Sequence, residues 1–170
     1  MRGNTVGSRF NTQTNEFWAY LAGFLDGDGC ITAIVERSKT NRSGVRVRIR
    51  VSFTQHRYRR KVLDKLKAEI GEGQVAEYNH NSMAEYVIRD QKIILEILEK
   101  IKPYLIAKAK HLELALKLMR LENWNSNKTN LQKAMKLAQD IKGLNKYPKR
   151  VRFDPVTTEV ERPRYRFYKY

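Results

Sequence analysis

From Thr14 onward the apolar positions Phe17, Trp18, Leu21, Phe24 and Leu25 recur at spacings of three and four, which predicts a helix. Thr14 or Asn15 can cap its start, Glu16 sits in its first turn, and Gly27 and Gly29 close it. The period then changes to two. Residues 30–37 (CITAIVER) read as a strand, SKTNRSG as a turn, and residues 45–54 (VRVRIRVSFT) as a second strand. Val45, Val47, Ile49, Val51 and Phe53 face one way, and Arg46, Arg48, Arg50, Ser52 and Thr54 face the other. One face of this strand is therefore buried and the other is a row of guanidinium groups.

The helical period returns at residues 59–71, with Val62, Leu63, Leu66 and Ile70 inward and Gly71 as the stop. GQVAEY (73–78) and MAEYVIR (83–89) predict a second hairpin around the turn NHNS, where a bulge would shift the parity of the facing residues. A further helix ends near Pro103, and two more cover KAKHLELALKLMRLEN and roughly residues 127–141, with Gly143 as the last stop. The order reads αββαββα, an α+β chain with an antiparallel sheet on one side and helices on the other. The expected organisation is a flexible polar arm over 1–13, a core over 14–143, and a basic, aromatic tail over 144–170. No internal repeat is evident.

Charge changes the picture more than size does. With 34 Lys plus Arg against 18 Asp plus Glu, the net charge is +16, which concerns partners rather than fold. An anionic membrane would call for an amphipathic helix carrying those cations. Here the densest basic run alternates as a strand, so nucleic acid is the expected partner. No apolar run reaches a membrane span and the first residues lack a secretory core, so an intracellular, soluble protein is expected. Cys30 is the only cysteine, which excludes an intrachain disulfide and a multi-cysteine zinc site. His56, His80 and His111 have no metal-ligand spacing.

The string LAGFLDGDG, residues 21–29, carries the candidate chemistry. Asp28 falls at the end of a helix between two glycines, where a carboxylate is electrostatically disfavoured. A divalent cation with oxygen ligands would compensate, and the Gly27 carbonyl could add a second oxygen. Ala19, Ala22 and Gly23 form a small-residue face that lets another backbone approach closely. Alone, DGDG is more often a plain turn signal.

The whole string resembles the motif that names the LAGLIDADG homing endonucleases. The single copy, the element order and the length resemble the homodimeric, intron-encoded branch. The resemblance covers residues from about 15 to 150. It implies a site-specific endonuclease that hydrolyses both strands of a long pseudo-palindromic target with Mg²⁺, with Mn²⁺ as a substitute. The staggered cuts would fall at an intronless allele. It implies that Asp28 and Gly27 hold metal, and that Asp26 supports the helix end or the interface. FTQHRYRRKVLDKL is similar to a junction that places a Gln and an Arg near the scissile phosphates, here Gln55 and Arg59. KPYLIAKAK is similar to the segment supplying a basic active-site residue, here Lys108. Two motif helices would pack at a two-fold axis through Trp18, Ala19, Leu21, Ala22, Gly23 and Leu25.

At about 3.3 Å per residue, 45–55 spans roughly 35 Å, near one turn of B-DNA. A two-stranded ribbon fits the major groove, and Arg46, Arg48 and Arg50 suit guanine edges or phosphates. The other expected double-stranded-DNA contacts are Thr32, Ile34, Glu36, Ser52, Gln74, Ala76, Tyr78, Glu85, Val87 and Arg89, with Lys149 and Arg150 on the backbone. Glu36 could accept from cytosine or pair with a neighbouring arginine. The tail aromatics could stack on bases or dock on protein. An RNA-binding intron maturase, or a DNA-binding regulator without cleavage, stays open as an alternative.

Overall fold

The computed structural model describes residues 10, 12–41, 43–78, 82–121 and 127–146. Helix α1 (Asn15–Asp28) leads directly into strand β1 (Gly29–Arg37), which turns back as β2 (Val45–His56). A 3-10 turn over Arg57–Arg59 opens helix α2 (Arg60–Ile70), followed by β3 (Gln74–Tyr78) and β4 (Met83–Ile88). Helices α3 (Gln91–Ile101), α4 (Ala109–Met119) and α5 (Lys128–Leu144) complete the described chain. The αββαββ order holds, and the three helices expected after it are all present. None is long and apolar enough to cross a membrane.

The four strands form one antiparallel sheet in the order β1-β2-β4-β3. The alternation of β2 is realised: Val47, Ile49, Val51 and Phe53 are buried while Arg46, Arg48 and Arg50 are partly exposed. Burying such side chains supplies about 1.5–3 kcal/mol each, which fixes the register against a one-residue slip. Phe24 of α1 stacks on Phe53 at 5.5 Å, and Phe53 on Tyr86 of β4 at 6.1 Å. This aromatic row joins the motif helix to two strands. Where β4 ends, Gln91 substitutes for a strand partner: its amide accepts from Ile49 N at 2.9 Å and donates to Ile49 O at 2.8 Å.

Glycine is required at position 29. A Cβ there would lie 2.4 Å from Leu25 Cδ1 and 2.7 Å from Leu25 Cα, so only a bare backbone lets β1 leave the helix so abruptly. The helix itself runs one residue past Gly27, so Asp28 is its last residue and Gly29 its cap. The arm expected over 1–13 is not wholly polar or free at its end. Phe10 is buried edge-on against Trp18 at 5.4 Å, and Gln13 donates to the Glu69 carbonyl at 3.0 Å.

Candidate active site and nucleic-acid face

The C-terminal turn of α1 meets two other segments. Gln55 has the parity of the buried β2 row, but it lies beyond the core, at the end of the strand. There its amide donates to Asp28 Oδ2 at 2.5 Å. Register explains the meeting: Gly29 pairs with Phe53, so the end of β2 runs past the helix end. From 80 residues away, the loop before α4 closes the other side. Asp26 accepts from the backbone N–H groups of Ile106 at 2.7 Å, Ala107 at 3.0 Å and Lys108 at 2.9 Å. Lys108 Nζ returns a bond of 2.6 Å to the Asp26 carbonyl. The cation thus binds a carbonyl at the negative end of the α1 dipole, the favourable site for it.

Burial acts to raise the Asp26 pKa, but the three N–H bonds and the Lys108 charge outweigh it and hold the carboxyl below its ordinary value. Asp26 therefore positions Lys108, and Asp28 remains the exposed acid. Arg59 is exposed just before α2 and has no ion pair among the described residues. Its neighbour Arg60 is held by Glu77 at 2.7 Å and Asp64 at 3.2 Å. The structure brings Asp28, Gln55 and Lys108 to one turn, with no hydrogen bond or ion pair from Arg59 to any of them. Cys30 follows the turn, half-buried, with Sγ 3.7 Å from Asn145 Oδ1; burial first of all pushes its thiol pKa up.

No group of three or more His, Cys, Asp or Glu able to hold a metal ion lies among the described residues. The donors at the turn are one exposed carboxylate and the Gly27 carbonyl, at the end of a helix whose dipole favours positive charge. Hard oxygen donors fit a divalent cation. They are too few to complete its six or more ligands, so the remaining oxygens must come from outside this chain.

The expected parity of the second hairpin holds without a bulge. Gln74 pairs with Val87, Ala76 with Glu85 and Tyr78 with Met83. Val87 in turn pairs with Ser52 and Glu85 with Thr54. Thr32, Ile34 and Glu36 stand opposite Arg50, Arg48 and Arg46. All thus belong to the face opposite the core, and Arg89 is exposed just after β4. That face is not uniformly available. Ser52, Glu85 and Val87 are buried on its floor. Arg48 pairs with Glu36 at 2.7 Å, and Arg50 with Glu85 at 2.6 Å. Arg46 donates to the Thr40 hydroxyl at 3.2 Å. Strand β2 also extends to His56, which joins the same face and stacks on exposed Tyr58 at 4.9 Å. The periodic run ending at Thr54 concealed that extension. Lys149, Arg150 and the tail aromatics lie outside the described residues, as do Trp124 and His80.

The expected interface needs correction. Trp18, Leu21, Ala22 and Leu25 are at most 3% exposed, committed to the chain's own core. Ala19 and Gly23 remain exposed, and Glu16, Tyr20 and Gly27 share their side of α1. The helix is apolar or small on nearly every side, so its pattern alone does not separate the inward face from the outward one.

An acidic helix end at one end of an arginine-bearing antiparallel sheet fits the class of protein that handles a polyanionic chain. The family is settled by comparison. The LAGLIDADG endonuclease model matches residues 21–118, and the chain belongs to that family. DNA endonuclease I-CreI of Chlamydomonas reinhardtii is 36% identical over 110 residues, which is 64% of this chain and 66% of that protein. DNA endonuclease I-CvuI of Chlorella vulgaris is 29% identical over 124 residues, 73% of this chain and 76% of that protein. The structure of I-CvuI with its target in the presence of Ca superposes with a TM-score of 0.71 at 27% identity, covering 80% of this chain and 86% of that one. The archaeal intron-encoded I-Vdi141I, complexed with DNA, has the same fold at 19% identity, with a TM-score of 0.69 and coverage of 82% and 90%.

Proposed function

We propose that this chain is a homing endonuclease that cuts both strands of a long, pseudo-palindromic DNA site as a homodimer, with Mg²⁺ held by Asp28. The observation that carries this reading is the convergence of Asp28, Gln55 and Lys108 on one helix end, at the same end of the sheet. I-CvuI has been determined with target DNA in the presence of Mg, the DNA not cleaved, and in the presence of Ca. That supports a divalent cation beside DNA in a relative.

Asp28 and the Gly27 carbonyl would hold the metal, with phosphate oxygens and a second copy's Asp28 completing its shell. When bound, the cation supplies a lowered water pKa and stabilisation of the leaving oxyanion. Gln55 fixes the rotamer of the Asp28 carboxylate by its 2.5 Å bond. Lys108, tethered at 2.6 Å to the Asp26 carbonyl, keeps a positive charge where phosphate charge develops. Arg59 is exposed for a phosphate contact. One carboxylate per chain and two strands to cut require two chains. The exposed Ala19, Gly23 and Gly27 side of α1 is where a second helix would approach. The 12 residues of β2 run about 40 Å, so two copies would cover roughly two turns of duplex.

The test is Asp28→Asn. Metal-dependent cutting should be lost while a gel-shift titration shows DNA binding retained. Unchanged cutting would remove Asp28 from the catalytic role, and tighter binding to RNA than to DNA would move the reading to a maturase.

A further inference from the structure

Glu85 is an unusual resident of a nucleic-acid face. It is 9% exposed, in the middle of the sheet, on the face that carries the arginines. An ionised carboxylate has no donor and must fill its lone pairs to tolerate burial. Three of its roughly four acceptor sites are taken. Oε1 accepts from Arg50 Nη2 at 2.6 Å, Oε2 accepts a short bond from the Tyr78 hydroxyl, and the Ser52 hydroxyl adds another. Burial works to raise the Glu85 pKa, and these three partners outweigh it, so the group is held ionised. A base reader needs an acceptor open to the groove, and Glu85, 9% exposed with both oxygens already bonded, is poorly placed to be one.

The network acts on Arg50. One nitrogen is committed to Glu85, and a planar guanidinium with five donors keeps others for a second partner. The arginine side chain remains 29% exposed, so its plane is fixed but not covered. Arg46, by contrast, meets only a threonine hydroxyl across its own turn. A pre-oriented arginine suits bidentate recognition of guanine O6 and N7, where geometry decides discrimination.

We infer that Glu85 is a positioning residue that locks Arg50 to read one guanine in each half-site, and that Glu85 itself does not contact the DNA. The inference rests on the DNA-reading role proposed above. The experiment separates the two. Full-length protein without divalent cation selects duplexes from a randomised pool by binding alone, and the bound fraction is sequenced for wild type, Arg50→Ala, Glu85→Gln and Tyr78→Phe.

Wild type should recover a long site with guanine at a position that Arg50→Ala flattens. Glu85→Gln should reduce the preference at that same position by about tenfold, the scale of one bidentate base contact. Tyr78→Phe removes one donor and keeps the carboxylate, so it should loosen the same position by less. It serves as the decisive variant if Glu85→Gln fails to fold. A merely structural Glu85 would lower affinity evenly and leave the profile unchanged, overturning the inference. So would a change at a position different from that of Arg50→Ala, which would make Glu85 itself a reader. Recovery of no sequence by wild type would overturn the DNA reading and this inference together.

Discussion

Removing the Asp26 carboxylate isolates the contact that joins the two halves of the candidate site. The carboxylate accepts three backbone N–H bonds of 2.7–3.0 Å from residues 106–108. Bonds to a charged acceptor are worth about 1.5–3 kcal/mol each. Ile106 and Ala107 are exposed, so water replaces much of what their N–H groups lose. The net cost of Asp26→Ala is therefore about 2 kcal/mol rather than the sum of three. For a chain of this size that lowers Tm by about 4–8 °C. The sign with pH follows from the lowered Asp26 pKa. The unfolded chain takes up the proton first, so the stabilisation is fully present above the ordinary carboxyl value of about 4 and is lost as pH falls through the folded-state value. Thermal melts of wild type and Asp26→Ala should therefore differ at pH 7 and converge in acid. DNA cutting should fall further than DNA binding, because the loop that presents Lys108 is released. Equal melting temperatures at pH 7, or a gap that widens in acid, would refute the reasoning.

Gly23→Leu should leave the isolated fold intact, since a Cβ at Gly23 meets nothing within 4 Å and leucine favours a helix interior by roughly 0.7 kcal/mol over glycine. Sedimentation over a concentration series should nonetheless show dimerisation weakened more than about tenfold, the order of one lost close packing contact; an unchanged dimer would place the interface elsewhere. Gln55→Ala frees the Asp28 carboxylate, and the Mg²⁺ concentration for half-maximal cutting should rise about 10- to 100-fold, the usual effect of losing a group that orients a metal ligand. An unaltered metal titration would deny Gln55 that role.

Much of the fold was legible because it depends on local period. Helix α1, the alternation in β2 and the glycine-ended α2 are each written within a dozen or so residues. The facing parity of the second hairpin also held, since Gln74, Ala76 and Tyr78 pair without a bulge. What was illegible depends on contacts between distant segments. Asp26 was expected to support the helix end, but its partners are backbone groups 80 residues away that carry no sequence signature. Which face of α1 turns inward was hidden by its apolar and small residues on nearly all sides. Glu85 shows the same limit: periodicity puts it on the arginine face, yet only the register with β2 and β3 shows its carboxylate filled by Arg50 and Tyr78.

The most direct test of the account is incubation of a randomised DNA library with the protein in Mg²⁺, followed by sequencing of all new ends, beside EDTA and Asp28→Asn controls. The account predicts paired, staggered ends within one long pseudo-palindromic sequence, absent from both controls. Ends that persist in Asp28→Asn, or a recovered bound sequence with no metal-dependent ends at all, would contradict it.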